Sequence, residues 1–321
     1  MQDKPNILVT GATGFVGARL VGHLLAANYP LRCLFRRAEP GLPKGVDAVR
    51  GDLLDPQSLS GTFTGIDTVY YLVHALDAGV SRFARRERIA ARNFVAAAEQ
   101  AGIRRVIYLS ALGDDAALSE HLRSRQDVER ILRSGRFETT VLRAAIVIGA
   151  GGASFEILRF LVKTQPVIPA LDGLQTRCQP IAIDNVIGYL AGCLEVESTA
   201  GQSFDIGGPE VLSYRQMLER LARVAQDVNL YFPVPFFSPW LASRLIGFFS
   251  PVKSSVALAL MKGLGSEVVC RDNRIRELIR QPLIGYDEAV ARALRERKAQ
   301  LKSAEKSKTA GRGPTFKGVS G

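Results

Sequence analysis

The chain has 321 residues, 47% of them hydrophobic and 23% charged, with a formal net charge of +11. That balance supports a large buried core, in one big domain or a core with an appendage, and excludes disordered, collagen-like and disulfide-rich scaffolds. Cys33, Cys178, Cys193 and Cys270 are widely spaced with no CxxC pair; no metal site or disulfide framework is expected, and a reducing cytoplasm is the expected compartment.

Met1–Asn6 is polar, and the apolar run Ile7–Thr10 is too short for the core of a secretory signal. Asn6–Thr10 reads as a buried strand, followed by a glycine-rich turn and a helical pattern over Val16–Ala27. Leu31–Phe35 reads as a second strand and Ala48–Val49, before Gly51, as a short third. Asp55 with Pro56 makes an N-cap and first-turn pair that opens a helix reaching Phe63. Next come a strand over Thr68–Val73, a long helix over Phe83–Gln100 ended by Gly102, and a strand over Arg105–Leu109. A helix near Glu120–Ser134 and a strand over Thr139–Arg143 complete this half. Short apolar strands alternating with helices spell βαβ units, so the expected class is α/β with a Rossmann-type doubly wound parallel sheet.

Past Gly149 the alternation loosens. Helices are expected over Ser154–Lys163, over Asp184–Val196 with Asp184 as a candidate cap, and over Ser213–Val224 with Ser213 as N-cap; Ser203–Ile206 reads as a strand. Leu230–Val252 is nearly uncharged, but Pro233, Pro235, Pro239 and Pro251, with Arg244, exclude a membrane-spanning helix. An apolar helix over Ser255–Leu264 and a charged one near Tyr286–Ala299 follow. From Ala291 onward nine Lys or Arg face only Glu296 and Glu305, a local net of +7. The body is therefore only mildly basic and nucleic-acid binding is not expected; the Lys/Ser/Gly/Thr mixture of the end reads as a solvated tail. The expected division is a Rossmann core with part of a smaller, mostly helical lobe over residues 1–225, an apolar helical region over 226–300, and a disordered basic tail over 301–321.

The sharpest local signal is Thr10-Gly11-Ala12-Thr13-Gly14-Phe15-Val16-Gly17, which follows a strand and precedes a helix. In that context such a loop cradles a dinucleotide; the plain alternative is an ordinary strand–turn–helix. Gly11 permits the tight turn, Gly14 lets the main chain approach a pyrophosphate, and Gly17 lets the helix pack closely on the strand. The helix N-terminus adds free N–H groups and a positive dipole end. Nineteen residues after Gly17, where an NAD site carries an acidic residue for the ribose hydroxyl, stand Arg36 and Arg37. Two guanidinium groups suit a 2′-phosphate, so NADP(H) is the expected cofactor. Gly51-Asp52-Leu53 either meets the adenine, with Asp52 accepting from its amino group, or merely ends the third strand.

The motifs TGATGFVG, GDL, YYLVHAL, YLSALG and LRAAIVIG, with the later Ile183-Asp184-Asn185-Val186, resemble the atypical branch of the short-chain dehydrogenase/reductase superfamily. The resemblance covers roughly residues 5–225 and is similar in character to NmrA-like proteins and the NADPH-holding accessory subunit of respiratory complex I. It implies that Gly11, Thr13, Gly14, Phe15 and Gly17 line the pyrophosphate and that Arg36 and Arg37 meet the 2′-phosphate. By the same resemblance Asp52 and Leu53 sit at the adenine, Leu72 and Val73 near its ribose, and Ser110 and Ala111 beside the nicotinamide ribose.

One departure bears on activity. Active members carry a Tyr-x-x-x-Lys pair on the helix after the fifth strand, where Lys lowers the Tyr pKa for proton donation. Here His121 takes the Tyr position and Arg125 the Lys position. Arg does not shuttle protons at neutral pH, and a guanidinium beside His121 favours the neutral imidazole. His121 is a candidate replacement acid, Ser110 a candidate donor to a substrate oxygen, and a surface or ribose-binding role is the alternative for His121 and Arg125. His74 is a further loop candidate, His23 reads as structural, and at most one of Tyr70 and Tyr71 faces the cofactor side of its strand. Two functions stay open: a reductase passing hydride from NADPH to a small apolar carbonyl, enone or quinone, and a non-catalytic NADPH-binding sensor or structural subunit. Peripheral membrane contact through Phe232, Phe236, Phe237, Trp240 and the basic tail is a weaker third reading, against those aromatics filling the lobe's own core.

Overall fold

The computed structural model describes residues 4–36, 43–73, 80–113, 120–164, 167–169, 174–226, 230–232 and 266–310. Arg37, His74, the Ser255–Leu264 helix and nearly all of the Leu230–Val252 segment lie outside the described residues. Seven strands form the central sheet: β1 (Ile7–Thr10), β2 (Leu31–Phe35), β3 (Val46–Arg50), β4 (Thr68–Tyr71), β5 (Arg105–Ala111), β6 (Glu138–Ala144) and β7 (Ser203–Ile206). Their spatial order is β7-β6-β5-β4-β1-β2-β3, and every pairing is parallel. This is the expected doubly wound sheet. The strand order reverses between β1 and β4, the switch point beyond whose C-terminal strand ends open α/β sheets take their ligands.

Helices cover both faces, which is why β1 and β4 are buried at every residue rather than at alternate ones. On one face α1 (Phe15–Ala26) and α5 (Ile183–Glu195) bury Leu20, Leu24, Val186 and Leu190 against Ile7, Val9 and Tyr70. On the other, α2 (Val80–Gln100) and α3 (Glu120–Arg133) bury Phe94, Val128 and Leu132 against Leu8, Val69, Tyr71 and Tyr108. Neither Tyr70 nor Tyr71 is left for a ligand. The Tyr70 hydroxyl donates to the Leu190 carbonyl at 2.9 Å, and the Tyr71 ring meets Phe94 edge-on at 4.9 Å. His23 is exposed on α1.

A third core forms beyond the strand ends, where α4 (Ala153–Thr164), α6 (Tyr214–Ala225) and α7 (Tyr286–Ala310) bury Phe155, Leu158, Met217, Leu221 and Val290 against Leu112 and Ile148. This is the expected second lobe. The chain after residue 265 is anchored to the main sheet rather than appended: Asn185 bonds the main chain of Pro282 and Ile284 at 2.9 Å each, and Asp205 at the end of β7 accepts from Arg271 N at 2.9 Å.

Three local expectations are corrected. The helix opened by Asp55 is a single 3-10 turn, Pro56–Leu59, although Asp55 caps it as expected; Gly61 and Gly65, at φ +72° and +73°, stop its growth. Asp184 is not a cap. Ile181–Ala182 pairs with Val147–Ile148, so the helix starts one residue earlier, and Asp184 sits in its first turn 3.0 Å from Arg292. Finally, α7 runs to Ala310, well into the tail expected to be disordered, because residues 299–310 are mostly Ala, Gln, Leu, Lys and Glu, all good helix formers. By contrast Ser213 caps α6 as expected, in a reciprocal box with Gln216.

Among the described residues no metal-ligating cluster occurs and no helix is long and apolar enough to cross a membrane. All four cysteines are unpaired. Burial pushes the Cys33 and Cys178 thiols up to about 12 and Cys193 up to about 11. The thiolate is the reactive species. In native protein at pH 8, these three cysteines should therefore resist alkylation until denaturant is added. Mass spectrometry of labelled peptides checks this; rapid labelling of any of the three in buffer would count against the burial.

Candidate functional site

Parallel pairing brings the exits of β1 to β5 to one edge of the sheet, and the glycine loop lies there. A Cβ on Gly11 would sit 2.7 Å from the Leu72 carbonyl oxygen, and φ there is +70°. Only glycine lets β1 turn this tightly against the exit of β4. A Cβ on Gly17 would come within 2.2 Å of the Gly11 carbonyl oxygen. Gly17 thus packs the helix on the loop itself, just beyond the strand. Gly14 meets only the Gly11 oxygen, at 3.2 Å, so its other side is open for a ligand.

Gly14 is also the N-cap of α1, with no side chain capping it. Gly14 N donates back to Gly11 O at 2.9 Å and Ala18 N takes Gly14 O at 3.0 Å; between them Phe15, Val16 and Gly17 N–H find no acceptor among the described residues. Bare first-turn donors at a positive dipole end form an anion seat. Thr10 holds the β1 and β4 exits together, its hydroxyl donating to Tyr70 O and accepting from Leu72 N, both at 3.1 Å. The Phe15 ring is wedged against Gly149 and Gly152, where a Cβ would touch it at 2.9 Å. Arg19 lies 4.7 Å over that ring and donates to Ala150 O at 2.9 Å. Neither the Arg19 clamp nor the Thr10 clasp is readable from sequence, because each bonds a main-chain atom far along the chain.

Arg36 follows β2 directly and is exposed. Gly51 N bonds Phe35 O at 3.0 Å, which places the β3 exit beside it. There one Asp52 oxygen accepts from Leu54 N at 2.9 Å, and Asp52 N donates to Ser58 Oγ at 2.8 Å, so the carboxylate is held in a turn. Leu53 is 4% exposed and packs among Leu34, Leu59 and Phe63.

Leu72 and Val73, both half-buried, lead out of β4; Ser110 and Ala111 end β5. His121 lies on α3, its side chain outside the described residues. Arg125 is not a surface residue. It is 7% exposed, its guanidinium 4.7 Å over the Tyr108 ring and donating to the Leu109 main-chain oxygen. Burial raises the Tyr108 and Tyr71 hydroxyls well above their ordinary value, and the Arg125 charge opposes that rise at both. Glu87 on α2 is 3% exposed and accepts from Ser124 Oγ at 2.6 Å. Glu87 had a legible signal, since it stands in the Phe83, Glu87, Ala91, Phe94 stripe that α2 buries. A groove of about 650 Å³ between Glu99, Arg104, Arg136 and Glu138 opens at the opposite ends of β5 and β6 and includes none of these residues.

The glycine cradle and the bare helix end fit a dinucleotide pyrophosphate. Residues 11–158 match a family described as NAD(P)H-binding. The mitochondrial NADH dehydrogenase (ubiquinone) 1 alpha subcomplex subunit 9 of Arabidopsis thaliana is 25% identical over 241 residues, 71% of this chain and 60% of that protein. The chloroplastic divinyl chlorophyllide a 8-vinyl-reductase of Zea mays is 26% identical over 254 residues, 73% of this chain and 62% of that protein. This chain thus spans 60% and 62% of the length of these curated relatives. Among solved structures, a triphenylmethane reductase of Citrobacter sp. superposes with a TM-score of 0.73 over 90% of this chain and 99% of that one, at 19% identity, a likeness of fold.

Proposed function

From the premise that this chain carries an NAD(P)H-binding domain with homologues in the atypical short-chain dehydrogenase/reductase class, we propose that it is an NADPH-dependent reductase of a small apolar carbonyl, enone or quinone. The observation that carries this reading is the meeting, at one sheet edge, of an uncapped helix end with two buried polar groups, Ser110 and Arg125, that lack full hydrogen bonding. Phe15, Val16 and Gly17 N–H hold the pyrophosphate. Arg36 and Arg37 select the 2′-phosphate, and the free Asp52 oxygen accepts from the adenine. Ser110 and Arg125 hold the nicotinamide-side ribose or a substrate oxygen. The bound cofactor supplies a hydride and its two electrons. Arg125 cannot give a proton, so the proton comes from water or through a ribose hydroxyl. Four unpaired cysteines fit a reducing compartment, in this reading the cytoplasm.

Two measurements test this. NADPH at about a hundredfold its Kd should stabilise the protein by about 2.7 kcal/mol in a melting experiment. NADPH should also be oxidised steadily with an enone and quinone panel. A second reading, a non-catalytic NADPH-binding sensor or subunit, is favoured by the missing Tyr-x-x-x-Lys pair. It expects the same melting shift with the cofactor never consumed. Absence of any shift or binding heat would remove both.

A further inference from the structure

Among the described residues three buried side-chain polar atoms have no hydrogen-bond partner: Arg105 Nε, Ser110 Oγ and Arg125 Nη1. Arg105 stands at the start of β5, and its other nitrogens meet Thr199 Oγ1 at 2.7 Å and Glu197 at 3.6 Å. The other two stand at the opposite end of that strand, on the edge that carries the glycine loop. Ser110 is two residues beyond Tyr108, so both side chains leave β5 toward the α2–α3 face. The Arg125 guanidinium lies on that face, over the Tyr108 ring and bonded to the main chain of Leu109, the residue between them. β4 pairs with β5 only as far as Tyr71 with Tyr108, whereas β5 continues beside β6 to Ala111. Among the described residues Leu109–Ala111 therefore have no sheet neighbour on the β4 side.

Arg125 is 7% exposed and Ser110 5% exposed. Among the described residues no carboxylate forms an ion pair with Arg125; the Glu87 carboxylate, whose charge, like that of Arg125, acts on both Tyr71 and Tyr108, accepts from Ser124. A buried guanidinium nitrogen without a hydrogen bond is costly, and Ser110, whose hydroxyl faces that of Tyr108 on the same side of β5, adds a second polar group with which to seat an anionic oxygen.

We propose that Arg125 Nη1 and Ser110 Oγ form an oxyanion-binding pair that favours conjugated carbonyl acceptors, enones and quinones, over isolated ketones and aldehydes. The inference rests on the reductase reading above and narrows its substrate class. Hydride reaching an isolated carbonyl carbon makes a localised alkoxide, which needs a proton as it forms; neither a guanidinium nor a serine hydroxyl supplies one at neutral pH, so this route depends on water or a ribose hydroxyl alone. Hydride reaching the far carbon of C=C–C=O instead moves the alkene pair toward oxygen and leaves a delocalised enolate. Two preorganised donors, one of them cationic, hold that oxygen without transferring a proton. Water then protonates the α-carbon, giving the saturated ketone and the oxidised nicotinamide. The net reaction consumes one hydride and one proton.

The test reads binding as well as turnover. 4-Nitrophenol, whose ionised form absorbs in the visible, is titrated into the full chain saturated with NADP+, with 4-nitrotoluene as its neutral counterpart. The nitrophenolate band should appear below the pH at which free nitrophenol ionises. Arg125→Met should weaken nitrophenolate at least about tenfold, the return of one charge-assisted bond, with nitrotoluene unchanged. Arg125→Lys should restore part of the preference, and Ser110→Ala should weaken the anion as well. With NADPH, cyclohexenone should give cyclohexanone. Equal nitrophenolate affinity in wild type, Arg125→Met and Ser110→Ala, or cyclohexenol as the product, would overturn the proposal while leaving NADPH binding intact; loss of NADPH binding in the wild type would instead remove the parent reading.

Discussion

Gly17→Ala should abolish measurable NADPH binding and lower stability by about 1–3 kcal/mol, the usual cost of forcing a methyl group into a filled space. The position is in the first turn of α1, and within a helix alanine is ordinarily favoured over glycine by about 0.5–1 kcal/mol. Sterics win because the new Cβ would lie 2.2 Å from the Gly11 carbonyl oxygen and 3.0 Å from Ala12 Cα, both main-chain atoms with nowhere to rotate. Relief requires the loop to move away from the helix, and the Phe15 to Gly17 N–H groups then no longer converge on one point. Gly22, in the same helix, has nothing within 4 Å of its Cβ position, so Gly22→Ala should stabilise by about 0.5–1 kcal/mol with binding unchanged. Urea melts and calorimetric titration of both variants check the pair. Tight NADPH binding by Gly17→Ala would show that the loop is not the phosphate seat.

Replacing Arg36 and Arg37 together with alanine should weaken NADPH about 10–100-fold while leaving NADH within about twofold. That range follows from about 1.5–3 kcal/mol for hydrogen bonds to a charged group. Arg36 leaves β2 exposed and beside the β3 exit, so it can turn toward a phosphate on an adenosine ribose without first breaking a core contact. The wild-type preference for NADPH should shrink with added salt, because exposed charges are screened. Parallel calorimetric titrations with both nucleotides measure it. An equal loss for the two would mean that these arginines support the fold of the β2 exit rather than choose the cofactor.

These two substitutions differ in how far the sequence alone carries them. The glycine loop was legible because its chemistry is local: strand, turn and helix start follow one another within a dozen residues, and glycine spacing encodes main-chain geometry directly. The alternation of apolar strands with helices likewise predicted the parallel sheet, and the cap at Ser213 was visible because a capping box spans four residues. Where a competing local feature or a distant partner intervened, the reading slipped. Gly61 and Gly65 cut the helix opened by Asp55 to one turn, and the pairing of Ile181–Ala182 with Val147–Ile148 took the cap position from Asp184.

The sequence by itself determined the class of fold and the glycine-rich turn that leads from β1 into α1. Only the tertiary structure decided that Arg125 is buried on Tyr108 rather than solvated, that its Nη1 is left without a hydrogen bond, and that the Glu87 carboxylate accepts from Ser124. The reason is that burial and pairing are properties of contacts between α2, α3 and β5, elements far apart along the chain. A residue's own neighbours in sequence state its periodicity and its turn chemistry. Whether a charge finds a counter-charge depends on which helix is folded against it.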